Sequence, residues 1–192
     1  MVYSVDQLKS VLSQRQGLAK ANLFKVFLPA ITNVAPSDFN LLCKDIILPG
    51  RQLSTRERII GSRHEKIAYE YVVDDVTATF HVTNDYAVKK YFEAWQNLAF
   101  DQTTYENNYK KEYCRDIKIQ QLKTPNIVPA YTEQVLTSDT GQQYTVEPDE
   151  VVYTCTLVEA FPVSISSLPL TDDPDGLVQL QATFAYTNWK SS

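Results

Sequence analysis

The sequence predicts a mainly β protein: an antiparallel β-sandwich or partly closed β-barrel with one flanking α-helix and a short N-terminal helix. Three observations carry that prediction. Val76–Thr83 and Val178–Thr187 alternate apolar with polar residues, the period at which a strand turns successive side chains to opposite faces. Between them, Val88, Tyr91, Phe92, Trp95, Leu98 and Ala99 recur at helical spacing and mark one buried face. Twelve Tyr and eight Phe against only five Gly suit broad pleated surfaces.

Composition bounds the rest. A chain of 192 residues suffices for one substantial core and is short for two, so a single domain over residues 1–192 is expected. With 44% hydrophobic and 21% charged residues, the chain belongs with globular proteins and not with disordered ones. A net charge of −5 argues against a nucleic-acid-binding module, which needs Lys and Arg in excess to neutralise phosphates. Cys43, Cys114 and Cys155 are odd in number and far apart, which suits small reduced core residues better than a disulfide framework. No apolar run is long enough to span a bilayer and no signal-peptide pattern opens the chain. A protein made in a cytoplasm, with no membrane insertion, is the expectation.

In chain order, Ser4 to Gln16 reads as a short helix, with Ser4 and Gln7 as a capping box, Val5, Leu8, Val11 and Leu12 on one side, and Gly17 at its end. So short a helix is marginal alone and needs a surface, in this subunit or another. Asn22–Leu28 alternates as a strand stopped by Pro29, and Phe39–Leu48 is apolar and β-like up to Pro49-Gly50. Residues 51–64 follow as an extended, exposed loop or hairpin, then strands at Ile67–Tyr71 and Val76–Thr83. The helix takes its cap from Asn84 or Asp85 and buries Tyr91, Phe92 and Trp95. A polar loop spans 101–111, and Arg115–Lys123 is a strand with Ile117 and Ile119 inward. Residues 125–148 look like an insertion, with a hairpin over Glu133–Val146 turning on Ser138-Asp139-Thr140-Gly141. Two runs, Val151–Pro162 and Leu177–Trp189, close the chain around a turn rich in proline and aspartate.

The second face of these strands is the unusual feature. Gln179, Gln181, Thr183 and Thr187, with Thr77, Thr79 and Thr83, make a polar surface almost without charge. A solvent-facing strand would normally mix Lys with Glu, and a second core face would be apolar. Arg51, Arg56, Arg58 and Arg63 fall in the stretch 51–64, which has no core pattern. As a nucleic-acid patch they lack stacking aromatics and a basic chain around them. A solvated arm explains them without further assumption, and an intersubunit arm explains them through the fitness of Arg for interfaces.

Chemistry of the usual kinds is missing. His64 and His81 sit in the arm and on a strand's polar face, an unsuitable pair for one metal. There is no C-x-x-C, H-E-x-x-H, G-x-S-x-G or G-x-x-x-x-G-K pattern. Asp173-Pro174-Asp175-Gly176 resembles part of a calcium loop, but with Gly176 as its sixth position the twelfth would be Ala182, where a bidentate Glu is required. A tight acidic turn is the simpler reading, as it is for Asp74-Asp75. No enzyme and no cofactor are expected.

Leu157-Val158-Glu159-Ala160-Phe161-Pro162, a loop, and a closing strand ending in the aromatic Trp189 resemble the final hairpin of the tail tube proteins of contractile-tailed bacteriophages. Ala21–Val26 is similar to their first strand, Asp45–Gly50 with the basic arm and Gly61 to the stretch before their helix, Tyr91–Trp95 to the helix, and Tyr113–Ile117 to the strand after it. The resemblance covers residues 21–189 apart from the insertion at 125–148, which is longer than in the simplest members. It implies a structural virion protein of the viral tail whose copies form hexameric rings, stacked head to tail as the channel for genome ejection. Implied partners are the chain itself, a sheath outside, a tape-measure protein and transiting DNA inside, and baseplate and tail-terminator proteins at the ends. Implied too are assembly in the host cytoplasm, an arm carrying Arg51, Arg56, Arg58 and Arg63 between rings, and a channel wall made by the Gln/Thr face. Alternatives are a baseplate or tube-end protein or injection-machine inner tube of the same fold, or a monomeric β-sandwich module gripping an acidic partner with its arm.

Overall fold

The computed structural model describes residues 4–14, 18–31, 37–123, 127–129, 144–146, 150–170, 172 and 177–192. The chain divides into two compact units, Met1–Phe24 with Gln120–Tyr153, and Lys25–Ile119 with Thr154–Ser192.

The first unit holds helix α1, Val5–Gln14. Its predicted capping box is formed: the Ser4 N–H donates to Gln7 Oε1 at 3.1 Å and the Gln7 N–H to Ser4 Oγ at 3.3 Å. Val5, Leu8 and Val11, the apolar side of this helix, are exposed. Gly17, expected to end it, lies outside the described residues. Nearby chain is tied by the Leu122 N–H on the Leu23 carbonyl (2.9 Å) and by Gln121 Nε2 on the Lys20 carbonyl (2.8 Å). Of the predicted insertion, Ile127–Pro129 and Tyr144–Val146 pair antiparallel, while the expected turn at 138–141 lies outside the described residues.

The second unit is built on an antiparallel sheet. Its strands, three of which run past its bounds at Phe24, 120–122 and 151–153, are β1 (Phe24–Phe27), β2 (Cys43–Ile46), β5 (Val76–His81), β6 (Arg115–Leu122), β9 (Val151–Ile165), β10 (Gln179–Ala185) and β11 (Asn188–Ser191). Strands β3 (Gln52–Ile60) and β4 (Arg63–Val72) form a separate hairpin, and β7 and β8 are the pair at 127–129 and 144–146. The order is β1-β6-β9-β10-β5-β2, with β11 also on β9, so the sheet is not closed into a barrel and ends on β1 and β2.

Alternation in the sequence decides which face is buried. Val76, Ala78 and Phe80 of β5 and Leu180, Ala182 and Phe184 of β10 are fully or almost fully buried, as are Ile117 and Ile119 of β6. Helix α3 (Ala87–Ala99) is the flanking helix the sequence predicts, and Val88, Tyr91, Phe92 and Trp95 are its buried residues. Phe92 stands 5.2 Å from Phe80 and 5.8 Å from Phe184, ring centre to ring centre, and Trp95 6.1 Å from Phe184. Side chains of this size each stabilise the fold by roughly 1.5–3 kcal/mol when buried. The two polar tips are satisfied, since Tyr91 donates to the Pro29 carbonyl at 2.6 Å and Trp95 Nε1 to the Tyr113 carbonyl at 2.7 Å.

Several boundaries differ from expectation. Phe39–Leu48 is not one β-like run: a short helix α2 (Ser37–Leu41) precedes β2. Phe39 is drawn into the core, where its ring meets Tyr91 at 5.3 Å. Helix α3 starts at Ala87, and its N-cap position is Tyr86 in the left-handed region at φ 55°. Asp85 nonetheless caps, accepting the Ala87 N–H at 3.2 Å. The loop 101–111 runs into a four-residue helix α4, Lys110–Tyr113. The closing run is two strands, because the chain breaks step at Tyr186-Thr187 between β10 and β11.

Strand β9 carries an irregularity that makes this possible. Cys155 and Leu157 are buried before it and Ala160 and Pro162 after it, so the alternation slips by one residue. Glu159 absorbs the slip at φ 54°. The Asp116 carboxylate accepts its N–H at 3.0 Å, and its own carboxylate accepts Lys110 Nζ and the Thr187 hydroxyl, each at 2.7 Å. All three cysteines are free, with Cys114 and Cys155 buried and Cys43 half-buried.

Candidate functional site

Two surfaces of the second unit stand out chemically, the sheet face turned away from α3 and the β3–β4 hairpin. The first follows from register. Gln181 pairs with Thr79, Thr183 with Thr77 and Gln179 with His81. Thr183 also pairs with Ser164 on β9, and the Gln181 N–H donates to Ser166 Oγ at 2.9 Å. Five of the seven predicted residues, Gln179, Gln181, Thr183, Thr77 and Thr79, are therefore brought onto one face, half-buried or exposed.

The other two are not with them. Thr83 lies beyond β5, where its hydroxyl donates to the Asp85 carboxylate at the start of α3. Thr187 lies in the break after β10, where it is held by Glu159 and by Lys110 Nζ at 2.6 Å. Both follow the strand alternation in sequence, but each strand stops short of them.

Charge also enters this face in a way the alternation hides. β2 has a register shift between Cys43 and Asp45, so Asp45 comes opposite Thr79 while Cys43 stays opposite Phe80. Lys44, in that irregularity, donates to Gln179 Oε1 at 3.0 Å. One cation and one carboxylate thus sit side by side at the edge of an otherwise neutral Gln/Thr/Ser surface. A polar Cys43-Lys44-Asp45 sequence was the available signal, but only the bulge reveals that two neighbours share one face.

The arm is a hairpin, longer than the sequence suggested, because Ile67–Tyr71 is its second leg and not a separate strand. Gly61 at φ 63° with Ser62 connects Ile60 to Arg63 in the two-residue loop that such ribbons favour. Register separates two faces. Arg56 lies opposite Ile67, Arg58 opposite Glu65 and Ile60 opposite Arg63, whereas Thr55, Glu57 and Ile59 with Ala68, Lys66 and His64 form the other side. Arg56, Arg58 and Arg63 make no ion pair among the described residues, although Glu65 faces Arg58 directly.

Arg51 is separate from these three. It precedes β3, and its guanidinium lies 4.9 Å from the centre of the Trp189 ring and 5.5 Å from that of Tyr71. Tyr71 and Tyr186 hydroxyls and Trp189 Nε1 are buried there without a hydrogen-bond partner among the described residues. Burial first, and then the neighbouring Tyr71, push the Tyr186 phenol up to about 12. Among the described residues, no group of His, Cys, Asp and Glu could hold a metal ion, and no helix is long and apolar enough to cross a membrane.

Residues 19–192 match the phage tail tube protein family. The chain belongs to that family. The match spans the main sheet, α3 and the arm and leaves helix α1 outside it. As a tail tube protein, the chain is a structural component of the phage tail, as the sequence led one to expect. No curated protein sequence matches it. Solved structures show the tail tube fold at low identity. A chain of an extracellular contractile injection system sheath–tube complex (PVC, extended state) has a TM-score of 0.57 at 14% identity, covering 100% of this chain and 99% of that one. The tube-terminating cap of the anti-feeding prophage gives 0.57 at 16%, covering 91% of each. The PVC sheath/tube terminator gives 0.56 at 14%, covering 90% of this chain and 95% of that one.

Proposed function

We propose that copies of this chain form hexameric rings that stack into the tail tube, with the Gln/Thr/Ser face of β5, β10 and β9 lining the channel through which DNA leaves. The single observation that carries this reading is the in-register row of Gln179, Gln181, Thr183, Thr77 and Thr79 on the face opposite the helix-covered core. A wall that passes DNA must not hold it, because each Lys or Arg that neutralises a phosphate adds salt-dependent affinity. The Lys44 cation has Asp45 beside it, which limits its pull. The sheet ends at β1 and β2, open among the described residues, support assembly in the same way, since unpaired strand edges are completed by a neighbouring copy in a ring.

The arm supports stacking. A two-stranded ribbon with exposed faces is at best marginally stable alone and gains order from a third element. Here that element is a copy in the next ring, met by Arg56, Arg58 and Arg63. A sheath outside, a tape-measure protein inside, and baseplate and terminator proteins at the ends complete the set of partners, and the chain performs no catalysis. Assembly takes place in the host cytoplasm.

Electron microscopy of the purified chain tests the proposal. Stacked six-fold rings are expected. Single rings that never stack would instead assign it to a tube end, and a compact monomer of 21.9 kDa at high concentration would assign it to a binding module.

A further inference from the structure

Of the four arginines around the arm, Arg51 is bound within its own chain, and its partners lie on two elements. Tyr71 belongs to the arm's second strand and Trp189 to β11, which is laddered to β9 through Trp189 opposite Leu157. The guanidinium therefore bridges the root of the hairpin to the main sheet. Among the described residues, no hydrogen bond from the polar tips of Tyr71, Tyr186 or Trp189 shares the task. A cation is attracted to the face of an aromatic ring and not to its edge, so two ring faces on different elements can together hold one guanidinium in place.

We propose that Arg51 is the positioning residue of the arm, a clamp that sets how the β3–β4 hairpin leaves the sheet, and not one of the residues with which the arm meets a neighbouring copy. The arm's role in stacking rests on the proposed function, but the clamp does not, because it acts within a single chain. Arg56, Arg58 and Arg63 remain the outward groups. Arg51 is engaged at the root, over the Trp189 and Tyr71 rings.

The test uses the unassembled full-length chain. Amide exchange over residues 52–72 and acrylamide quenching of tryptophan are measured for the wild type, Arg51→Ala, Arg51→Lys and Arg56→Ala. Trp95 is fully buried, so the quencher-accessible fraction reports Trp189. Arg51→Ala should speed exchange in the arm by about two- to fivefold, the range an exposed cation–π contact supports, and expose Trp189 further to quencher. Arg51→Lys keeps the cation and should recover part of both effects, while Arg56→Ala should change neither. Unchanged exchange and quenching in Arg51→Ala would overturn the clamp and return Arg51 to the outward set. Should Arg51→Ala not fold, Arg51→Gln, which keeps a long polar side chain but removes the cation, decides: an arm and a Trp189 signal identical to the wild type would equally overturn it.

Discussion

Gln181 of β10 lies directly opposite Thr79 of β5, and the next polar pair along the two strands is Thr183 with Thr77. Between these pairs, Ala182 and Ala78 point the other way into the core beneath α3. A substitution at Gln181 thus alters the polar face without touching packing. Gln181→Lys should leave folding and tube assembly intact, within the roughly 0.5 kcal/mol typical of surface changes. In the proposed rings it adds one cation per copy to the channel. Infectivity should fall, with the defect easing at higher salt as phosphate contacts are screened. Full infectivity of assembled tubes would place this face outside the channel, and loss of assembly would place it in an interface.

The arm is tested by reversing its outward charge. Arg56→Glu with Arg58→Glu should lower the thermal midpoint only slightly, since neither arginine makes an ion pair among the described residues and the new repulsion, from Arg58→Glu opposite Glu65, falls in an exposed ribbon. Tube growth should stop at single rings or short stacks, counted by electron microscopy. Tubes of ordinary length would remove the arm from the ring-to-ring contact.

Trp95→Ala strikes the centre of the core. The ring is completely buried and its Nε1 donates to the Tyr113 carbonyl at 2.7 Å, so truncation opens a cavity and orphans a carbonyl. A loss of about 3–5 kcal/mol is expected in chemical denaturation. A variant with an unchanged midpoint would show that α3 does not anchor the sheet.

Stability should weaken on the acid side. The Asp85 carboxylate is held below the usual carboxylate range by the Thr83 hydroxyl and then by the Ala87 N–H, Asp101 by the N–H groups of Thr103 and Thr104, and Glu159 by Lys110 and then Thr187. Carboxylates lowered in the folded state contribute stability above their unfolded values, about 4, and lose it as pH falls through the folded values. Lys110 is raised by Glu159, so its contribution holds below the ordinary lysine value of about 10.4 and disappears as pH rises through the folded one. The melting temperature should be flat from about pH 5 to pH 9 and decline below about pH 4. Glu159→Gln should make that decline shallower, and an identical acid slope in the variant would remove this ion pair from the explanation.

Much of the fold was legible in the sequence because burial there follows one period at a time. Val76–Phe80 and Leu180–Phe184 alternate without interruption, and Val88 to Trp95 keeps helical spacing, so both faces of the sheet and the face of α3 could be read directly. The reading failed where period and pairing part company. Tyr69 falls in a register shift of the hairpin, between Glu70 opposite Ser54 and Ala68 opposite Thr55, so the second leg looked like an independent strand. Asp45 reached the polar face through a bulge, and Thr187 left it through a strand break, neither of which changes the local pattern of residue types. Arg51 could not be told from Arg56 by sequence, because what separates them is Trp189, far along the chain.

The three cysteines have a consequence for endurance outside a cell. The thiolate is the form that oxidants and other sulfurs attack. Burial, aided by Asp45, pushes the Cys43 thiol up to about 12, and burial raises Cys114 and Cys155 as well. In air-equilibrated medium the chain is expected to present little thiolate, and disulfide cross-links between copies to form slowly. Thiols placed for packing would then also spare a tail built from this chain from oxidative cross-linking.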